Sequence, residues 1–230
     1  MGDFRFDDEQ VRQIVTALLG FTEKSVPSRY ISGARKVVAV RPQGDFGWVV
    51  YRYQCFSCHR IRGDGGTIGP DLSIIGSQAR PQWLAAYFRL PYSQRPMVKE
   101  RMLQLGISDE EIETTVTYFG IALLDDSIRG EIFPAGRPNS EDVVKGQELY
   151  HQTYGCQACH QIGMTGGYVG PPLDRIGQRL YSGYIFAYLK NPQRFKPGGL
   201  EPDNHLSDEE ARALTAYLVS LPPAKGRRPM

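Results

Sequence analysis

The chain has 230 residues, of which 41% are hydrophobic and 23% are charged, a composition typical of a globular protein with one or two domains. Its 27 basic and 25 acidic residues give a formal net charge of +2, which excludes the strongly basic surface of a nucleic-acid-binding protein, so no nucleic-acid partner is predicted. No apolar run approaches the roughly 20 residues that cross a bilayer, so the sequence predicts no membrane-spanning segment of its own.

The N-terminal segment, residues 1–22, predicts an amphipathic helix. Asp7 and Gln10 stand where a capping box places its two reciprocal side chains. Behind them, apolar residues recur at the spacing that puts them on one face of a helix: Val11, Ile14, Val15, Leu18 and Leu19. Residues 23–45, which are rich in Pro and Gly, predict a linker with one short strand at residues 36–40.

The pattern of this helix is repeated twice. The segments that begin at Met1, Met102 and Glu201 align without a gap at intervals of 101 and 99 residues, which indicates an internal repeat. The second and third copies carry capping boxes formed by Ser108 with Glu111 and by Ser207 with Glu210. We therefore divide the chain into an N-terminal helix with its linker, residues 1–42, and two domains, residues 43–130 and 131–230.

All four cysteines lie in two Cys-x-x-Cys-His motifs, Cys55–His59 and Cys156–His160. Two thiols at this spacing can add to the vinyl groups of one porphyrin, and the adjacent imidazole can bind its iron, which is the attachment pattern of a c-type haem. Disulfides or a redox-active thiol pair would not need the histidine. A zinc ribbon would separate its two pairs by roughly 15–20 residues, whereas 97 residues separate Cys58 from Cys156. The motifs therefore predict two covalently attached haem c groups, held by Cys55, Cys58, Cys156 and Cys159.

On these motifs the chain resembles the cytochrome c superfamily over residues 43–222. The resemblance implies a mainly α fold: two tandem class-I-like cytochrome c modules with long haem-wrapping loops. The N-terminal helix is then an orphan copy of the helix that closes such a module. Three interpretations of it remain open: a remnant of a third module, a helix reused to pack on the two complete modules, or an unrelated amphipathic helix.

The resemblance also implies the residues on the proximal side of each haem. His59 and His160 are the expected iron ligands. Pro70 and Pro171 each lie eleven residues after the motif histidine, in loops where this family uses a proline carbonyl to accept the second ring N–H of the axial histidine. Such a hydrogen bond fixes the orientation and the basicity of the imidazole.

The expected sixth ligand of the first haem is Met102, because it lies six residues before the capping Ser108, which is where the family places its ligand methionine. Met97 is the weaker alternative. Ligation by histidine and methionine raises the reduction potential of a haem.

The second module lacks this methionine. Glu201 occupies the register of Met102, and no methionine lies between Met164 and Met230. The second iron must therefore be ligated differently. His205 is the best candidate by residue type, since ligation by two histidines would give a low-potential haem, but an exposed loop histidine is an equally good interpretation of it. Glu201, Lys196, Met1, a water, or no sixth ligand at all also remain open at this point.

The predicted function is electron transfer between the two haems and redox partner proteins, with a membrane respiratory or photosynthetic complex as the larger partner considered. No catalytic residue is assigned. The alternative is a dihaem oxidoreductase whose second haem binds ligands or substrates, because distal access decides between electron transfer and activation. Covalent haem attachment in this family takes place outside the cytoplasm, which predicts a periplasmic or equivalent location. The chain shows no export signal, so we expect either a trimmed form or a start residue upstream of Met1.

Overall fold

The structure, a computed structural model, describes residues 7–11, 13, 44–94, 102–133 and 137–222. Across these ranges helices dominate and the named strands are two residues long, so the predicted mainly α class is confirmed. Within the same ranges no helix has both the length and the apolar character that a membrane span requires. Residues 8–11 and 13 are helical, and Asp7 and Gln10 exchange the two predicted capping hydrogen bonds, of 3.1 and 2.8 Å. Met1, Met97 and the strand predicted at 36–40 lie outside the described residues.

Within its described residues, 44–94 and 102–130, the first module has five helices, one 3-10 turn and one two-stranded antiparallel hairpin. In chain order these are α1 (Gly44–Arg52), the 3-10 turn (Cys55–Ser57), β1 (Arg60–Ile61), β2 (Asp64–Gly65), α2 (Ile75–Gln78), α3 (Pro81–Arg89), α4 (Pro91–Gln94) and α5 (Asp109–Ala122). Its apolar core includes Ile61, Ala79, Leu84, Phe119 and Leu123.

The second module repeats the same order of elements. These are α6 (Ser140–Glu148), a π-helical turn (Leu149–Thr153), a 3-10 turn (Cys156–Ala158), β3 (Gln161–Ile162), β4 (Thr165–Gly166), α7 (Ile176–Arg179), α8 (Ser182–Lys190), α9 (Pro192–Phe195) and α10 (Asp208–Ser220). Its larger core includes Tyr150, Ile185, Leu206, Leu214 and Leu218.

The π-helical turn explains a difference in length between the two copies. Four positions separate Tyr51 from Cys55, but six separate Tyr150 from Cys156. The wider π turn accommodates residues inserted into a helix, so α6 continues through it and both cysteine turns still begin in the same way. Gln54 and Gly155, the residues before the cysteines, both have left-handed backbone conformations, with φ of 52° and 60°.

The closing helices begin at the predicted capping boxes. Ser108 and Glu111 form both reciprocal bonds at the start of α5, and Ser207 and Glu210 do so at the start of α10. Helix α10 crosses α6 very closely at Gly146, where an added Cβ would lie 1.9 Å from the carbonyl oxygen of Ala213. The closing helix of the second module is thus held by its cap and by direct backbone contact.

The capping glutamates also bind a tyrosine that precedes each cysteine motif. The hydroxyl of Tyr53 donates to Glu111 at 2.8 Å, and the hydroxyl of Tyr154 donates to Glu210 at 2.8 Å. The Tyr53 bond is the largest cause of the lowered pKa of Glu111. The cap and the Tyr154 bond lower the pKa of Glu210. Each bond ties the closing helix to the chain that leads into the cysteines.

Removing these hydroxyls should make the protein less resistant to acid. A carboxylate whose pKa is lowered by folding stabilises the fold above its unfolded pKa, and this stability is lost as the pH falls through the folded pKa. The pH range in which this stability is lost therefore lies below 4.5, the ordinary pKa of a glutamate. For Y53F with Y154F we expect an acid-unfolding midpoint at higher pH, followed by circular dichroism. Y51F, whose ring lies against Trp48, is the control. Equal midpoints for the two variants would contradict the prediction.

The two modules are joined by a reciprocal pair of backbone hydrogen bonds. Ala79 and Leu180, which are equivalent positions of the repeat, form an isolated antiparallel bridge. The N–H of Arg80 donates to the carbonyl of Arg179 at 2.9 Å, and the N–H of Tyr181 donates to the carbonyl of Gln78 at 3.0 Å. Because each module offers the same segment to the other, the contact has the self-complementary form of a two-fold interface.

Side chains and the connecting chain reinforce this contact. The Arg80 side chain donates to the carbonyl of Gly177 at 2.7 Å and forms an ion pair with Glu131. Glu131 also accepts a hydrogen bond from the Ser182 hydroxyl at 2.6 Å. The guanidinium of Arg194 donates to Asp125 at 2.6 Å. The segment after α5, which contains Asp125 and Glu131, is therefore bonded to the helices of the second module.

Candidate haem-binding sites

Each cysteine motif lies on a 3-10 turn that places its two thiols near the surface. Cys55 and Cys156 are half-buried, Cys58 and Cys159 are exposed, and all four are free thiols. The N–H of His59 donates to the carbonyl of Cys55 at 2.9 Å, and the N–H of His160 donates to the carbonyl of Cys156 at 2.9 Å. The turn therefore presents two thiols and an imidazole from five consecutive residues, as covalent attachment of a haem requires.

Burial raises the pKa of the first thiol in each motif. The pKa of Cys55 rises to about 11, and the pKa of Cys156 rises to about 11 with the charge of Glu201 as a second cause. Both groups are protonated thiols at neutral pH.

The motif histidines are oriented by the predicted prolines. The Nδ1–H of His59 donates to the Pro70 carbonyl at 2.8 Å, and the Nδ1–H of His160 donates to the Pro171 carbonyl at 2.9 Å. Because a carbonyl oxygen only accepts, each bond places a proton on Nδ1, and in the neutral imidazole the lone pair then lies on Nε2. An imidazole held in this tautomer is suited to bind iron through Nε2.

Glycines before the prolines provide room for the imidazoles. An added Cβ on Gly69 would lie 2.6 Å from Cε1 of His59, and one on Gly170 would lie 2.4 Å from Cε1 of His160. Any other residue at these positions would overlap the ring. The motif, the proline carbonyl and the glycine thus form one unit in each module, and together they fit a covalently bound haem.

In the first module, Met102 lies in the loop that leads to α5. It is half-buried, and its backbone N–H donates to the hydroxyl of Tyr87 at 3.2 Å. The Tyr87 ring stacks on Trp83 with centroids 4.9 Å apart. The structure therefore places Met102 against the aromatic face of α3.

In the second site a carboxylate lies beside Nε2 of the motif histidine. Oε2 of Glu201 is 3.1 Å from Nε2 of His160, and the Glu201 side chain is 29% exposed. Burial acts to lower the pKa of His160, but the bonds to Glu201 and Pro171 and the charge of Glu201 outweigh it, so the pKa lies above its ordinary value. The charge of Glu201 also adds to the raised pKa of Tyr188, whose largest cause is burial.

The other residues considered for the second iron are placed differently. The His205 side chain is 87% exposed and its Nδ1 lies 3.5 Å from Asp203. Its backbone has a φ of 49°. Lys196 is exposed on the loop after α9. Of the predicted candidates within the described residues, the structure brings only Glu201 to His160.

A glutamine that the sequence did not single out holds the loop that carries Glu201. The Gln193 side chain donates to the carbonyls of Gly199 at 3.1 Å and Glu201 at 3.3 Å, and it accepts from the N–H of Gly198 at 2.9 Å. Gly69 and Gly170 were likewise not predicted as site residues. They could have been found from the sequence, because they occupy equivalent positions of the repeat directly before Pro70 and Pro171.

The chain has two consecutive helical modules. Each carries a Cys-x-x-Cys-His turn and a histidine that is hydrogen-bonded to a proline carbonyl. These features define the class of proteins that attach haem covalently, here with two modules in tandem. The family model described as Cytochrome c matches residues 47–119 and 143–222, well over half of the chain. The chain belongs to the cytochrome c family and contains two tandem cytochrome c domains. A search of curated proteins gives no match.

Membership of this family has direct consequences. Cytochrome c domains bind haem c covalently, transfer electrons and act with redox partners. They typically function on the extracytoplasmic side of a membrane.

Proposed function

We propose that this protein is a dihaem cytochrome c that passes electrons between its two modules and on to redox partners. The modules occupy residues 43–130 and 131–230. The residues that hold the haems are Cys55, Cys58, His59, Pro70 and Met102 in the first module and Cys156, Cys159, His160 and Pro171 in the second.

The observation that carries the proposal is the histidine-to-proline hydrogen bond, which is present in both modules at 2.8 and 2.9 Å. A bound haem supplies a one-electron couple at its iron. The protein orients the ligand ring and sets its tautomer. A site whose geometry changes little between two oxidation states is suited to transfer electrons. An imidazole that is held by the proline carbonyl and packed against the adjoining glycine favours such a site.

The contact between the modules supports transfer within one chain. The reciprocal bonds around Ala79 and Leu180 join backbone to backbone, and Arg80 adds a hydrogen bond and an ion pair. A contact of this kind holds the two sites at a constant separation. Electron exchange between the haems then does not depend on encounters between mobile domains.

Exposed apolar side chains beside both sites support a protein partner. Ile68 and Val169 immediately precede the glycines that adjoin the histidine rings, and they are 74% and 67% exposed. Exposed apolar side chains beside a functional group can form part of a contact surface for another protein. We propose a redox partner in the periplasm or its equivalent, with a membrane respiratory or photosynthetic complex as the larger assembly.

Replacing the cysteines one motif at a time tests the number of haems. We expect two haems per chain in the unaltered protein and one in C55A/C58A or C156A/C159A, by pyridine haemochrome absorbance and by mass, after maturation in an export-competent host. The variant lacking the second pair should keep the methionine-to-iron charge-transfer band expected from Met102. Ser57→Ala, inside the same turn, is the control and should keep both haems. Two haems in either double variant, or none in the unaltered protein, would contradict the proposal.

A second candidate function is an oxidoreductase centred on the second haem. It is favoured by one observation, the carboxylate of Glu201 beside His160 where the first module has Met102. Reduction of hydrogen peroxide to two waters, with two electrons and two protons from a reduced donor, is a suitable assay. Turnover that persists in M102A but disappears in C156A/C159A would locate the activity in the second module. Absence of turnover would leave electron transfer as the function.

A further inference from the structure

We propose that the carboxylate of Glu201 is the distal axial ligand of the second haem iron, and that it makes this haem the low-potential end of the protein. The inference rests on the proposed function, because it requires a haem on Cys156 and Cys159 with His160 as the proximal ligand.

The first argument is the position of the carboxylate. The Pro171 carbonyl takes the Nδ1–H of His160 at 2.9 Å, which leaves Nε2 as the iron-binding atom. Oε2 of Glu201 faces this same atom at 3.1 Å. Imidazole and carboxylate ligands each lie about 2.0–2.2 Å from a metal ion, so two ligands on opposite sides of one ion are roughly 4 Å apart. A shift of the Glu201 side chain by about 1 Å along the existing direction is enough.

The second argument is how the loop presents Glu201. The three hydrogen bonds of Gln193 fix the backbone at Gly198, Gly199 and Glu201. Tyr184 and Tyr188 of α8 both pack on Phe195, the last residue of α9, after which the loop that carries Glu201 begins. A carboxylate that is mostly shielded from solvent and held by its own backbone is positioned to bind a cation. His205 and Lys196 extend into solvent instead.

The third argument is chemical. A carboxylate is a hard, anionic ligand and favours the ferric state, whereas the thioether of Met102 is soft and favours the ferrous state. The second haem should therefore have the lower reduction potential. With both haems bound, an electron that enters at the second module would pass to the first, so the donor would act at the second module and the acceptor at the first.

Four substitutions in the holoprotein test the assignment: E201Q, E201M, H205A and, as a matched control, E209Q. Glu209 is an exposed acid in the first turn of α10, paired with Lys145. Redox titration of the unaltered protein should give two midpoints. E201M should raise only the lower midpoint and add a second methionine-to-iron band. E201Q should change the ferric electron paramagnetic resonance signal of one haem. E209Q should change none of these.

The unaltered protein provides an independent readout. Because a carboxylate binds ferrous iron weakly, carbon monoxide should bind one of the two haems after reduction, and E201M should abolish that binding. The proposal is overturned if E201Q and E209Q give the same spectra and midpoints, or if H205A rather than E201Q changes the second haem. Two haems per chain with either of these results would overturn the ligand assignment alone. A chain without haem would overturn the proposed function itself.

Discussion

Gly170→Ala should prevent the second module from holding the ring of His160 in its present position. The new Cβ would lie 2.4 Å from Cε1 and 2.6 Å from Nδ1 of His160, well inside van der Waals contact. The ring cannot move away without losing its bond to the Pro171 carbonyl, and Leu173 two residues on is buried. Forcing an extra carbon into such a packed site costs typically about 1–3 kcal/mol. We expect a lowered free energy of unfolding and only one correctly ligated haem per chain, by denaturant titration and absorbance.

A glycine in open space is the matched control. Gly120 lies near the end of α5, and a Cβ there would meet nothing within 4 Å. Alanine is favoured over glycine inside a helix by roughly 0.5–1 kcal/mol, so Gly120→Ala should leave both haems intact and raise the stability slightly. Gly69→Ala should reproduce the defect of Gly170→Ala in the first module. A Gly170→Ala protein with two normal haems and unchanged stability would show that the ring has room that the structure does not indicate.

Much of this architecture could be predicted because it depends on local sequence. The capping boxes at Ser108 and Ser207 need only residues three positions apart. The positions of the cysteines and histidine within each motif are set by five consecutive residues. The hydrogen bonds from His59 and His160 span eleven residues, and they were predictable only from the resemblance to a known family.

Other features could not be predicted because they depend on contacts between distant residues. Two inserted residues before Cys156 were visible in the sequence, yet nothing local indicated that α6 would absorb them as a π turn at Leu149–Thr153. The bridge between Ala79 and Leu180 joins two segments 101 positions apart whose sequences carry no pairing signal.

The distal side of the second site was the least predictable part. The alignment placed Glu201 in the register of Met102 but gave no reason to prefer it over His205, which is the stronger iron ligand by residue type. Which of the two side chains lies beside His160 depends on the path of the loop after α9. That path follows from the bonds of Gln193 and from the short connection to the cap at Ser207.

Arg80→Ala should uncouple the two modules. This side chain alone donates to the Gly177 carbonyl at 2.7 Å, pairs with Glu131 and lies over the Tyr181 ring at 5.2 Å. Losing a charged hydrogen bond of this kind costs about 1.5–3 kcal/mol. Because Arg80 acts between the modules, the substitution reduces the free energy of their interface by this amount. We expect the unaltered protein to unfold in one calorimetric transition and the variant to unfold in two, because cooperativity between modules depends on the free energy of their interface.

Arg89→Ala is the matched control, since Arg89 forms an ion pair with Asp109 inside the first module and both side chains are largely exposed. Exposed pairs contribute about 0–1 kcal/mol, so one transition should remain. The same two variants separate stability from electron transfer. If the interface holds the haems at a constant separation, flash-induced reduction of one module should reach the other more slowly in Arg80→Ala and at the original rate in Arg89→Ala. Equal rates and a single transition in both variants would mean that the modules are held together by contacts other than Arg80.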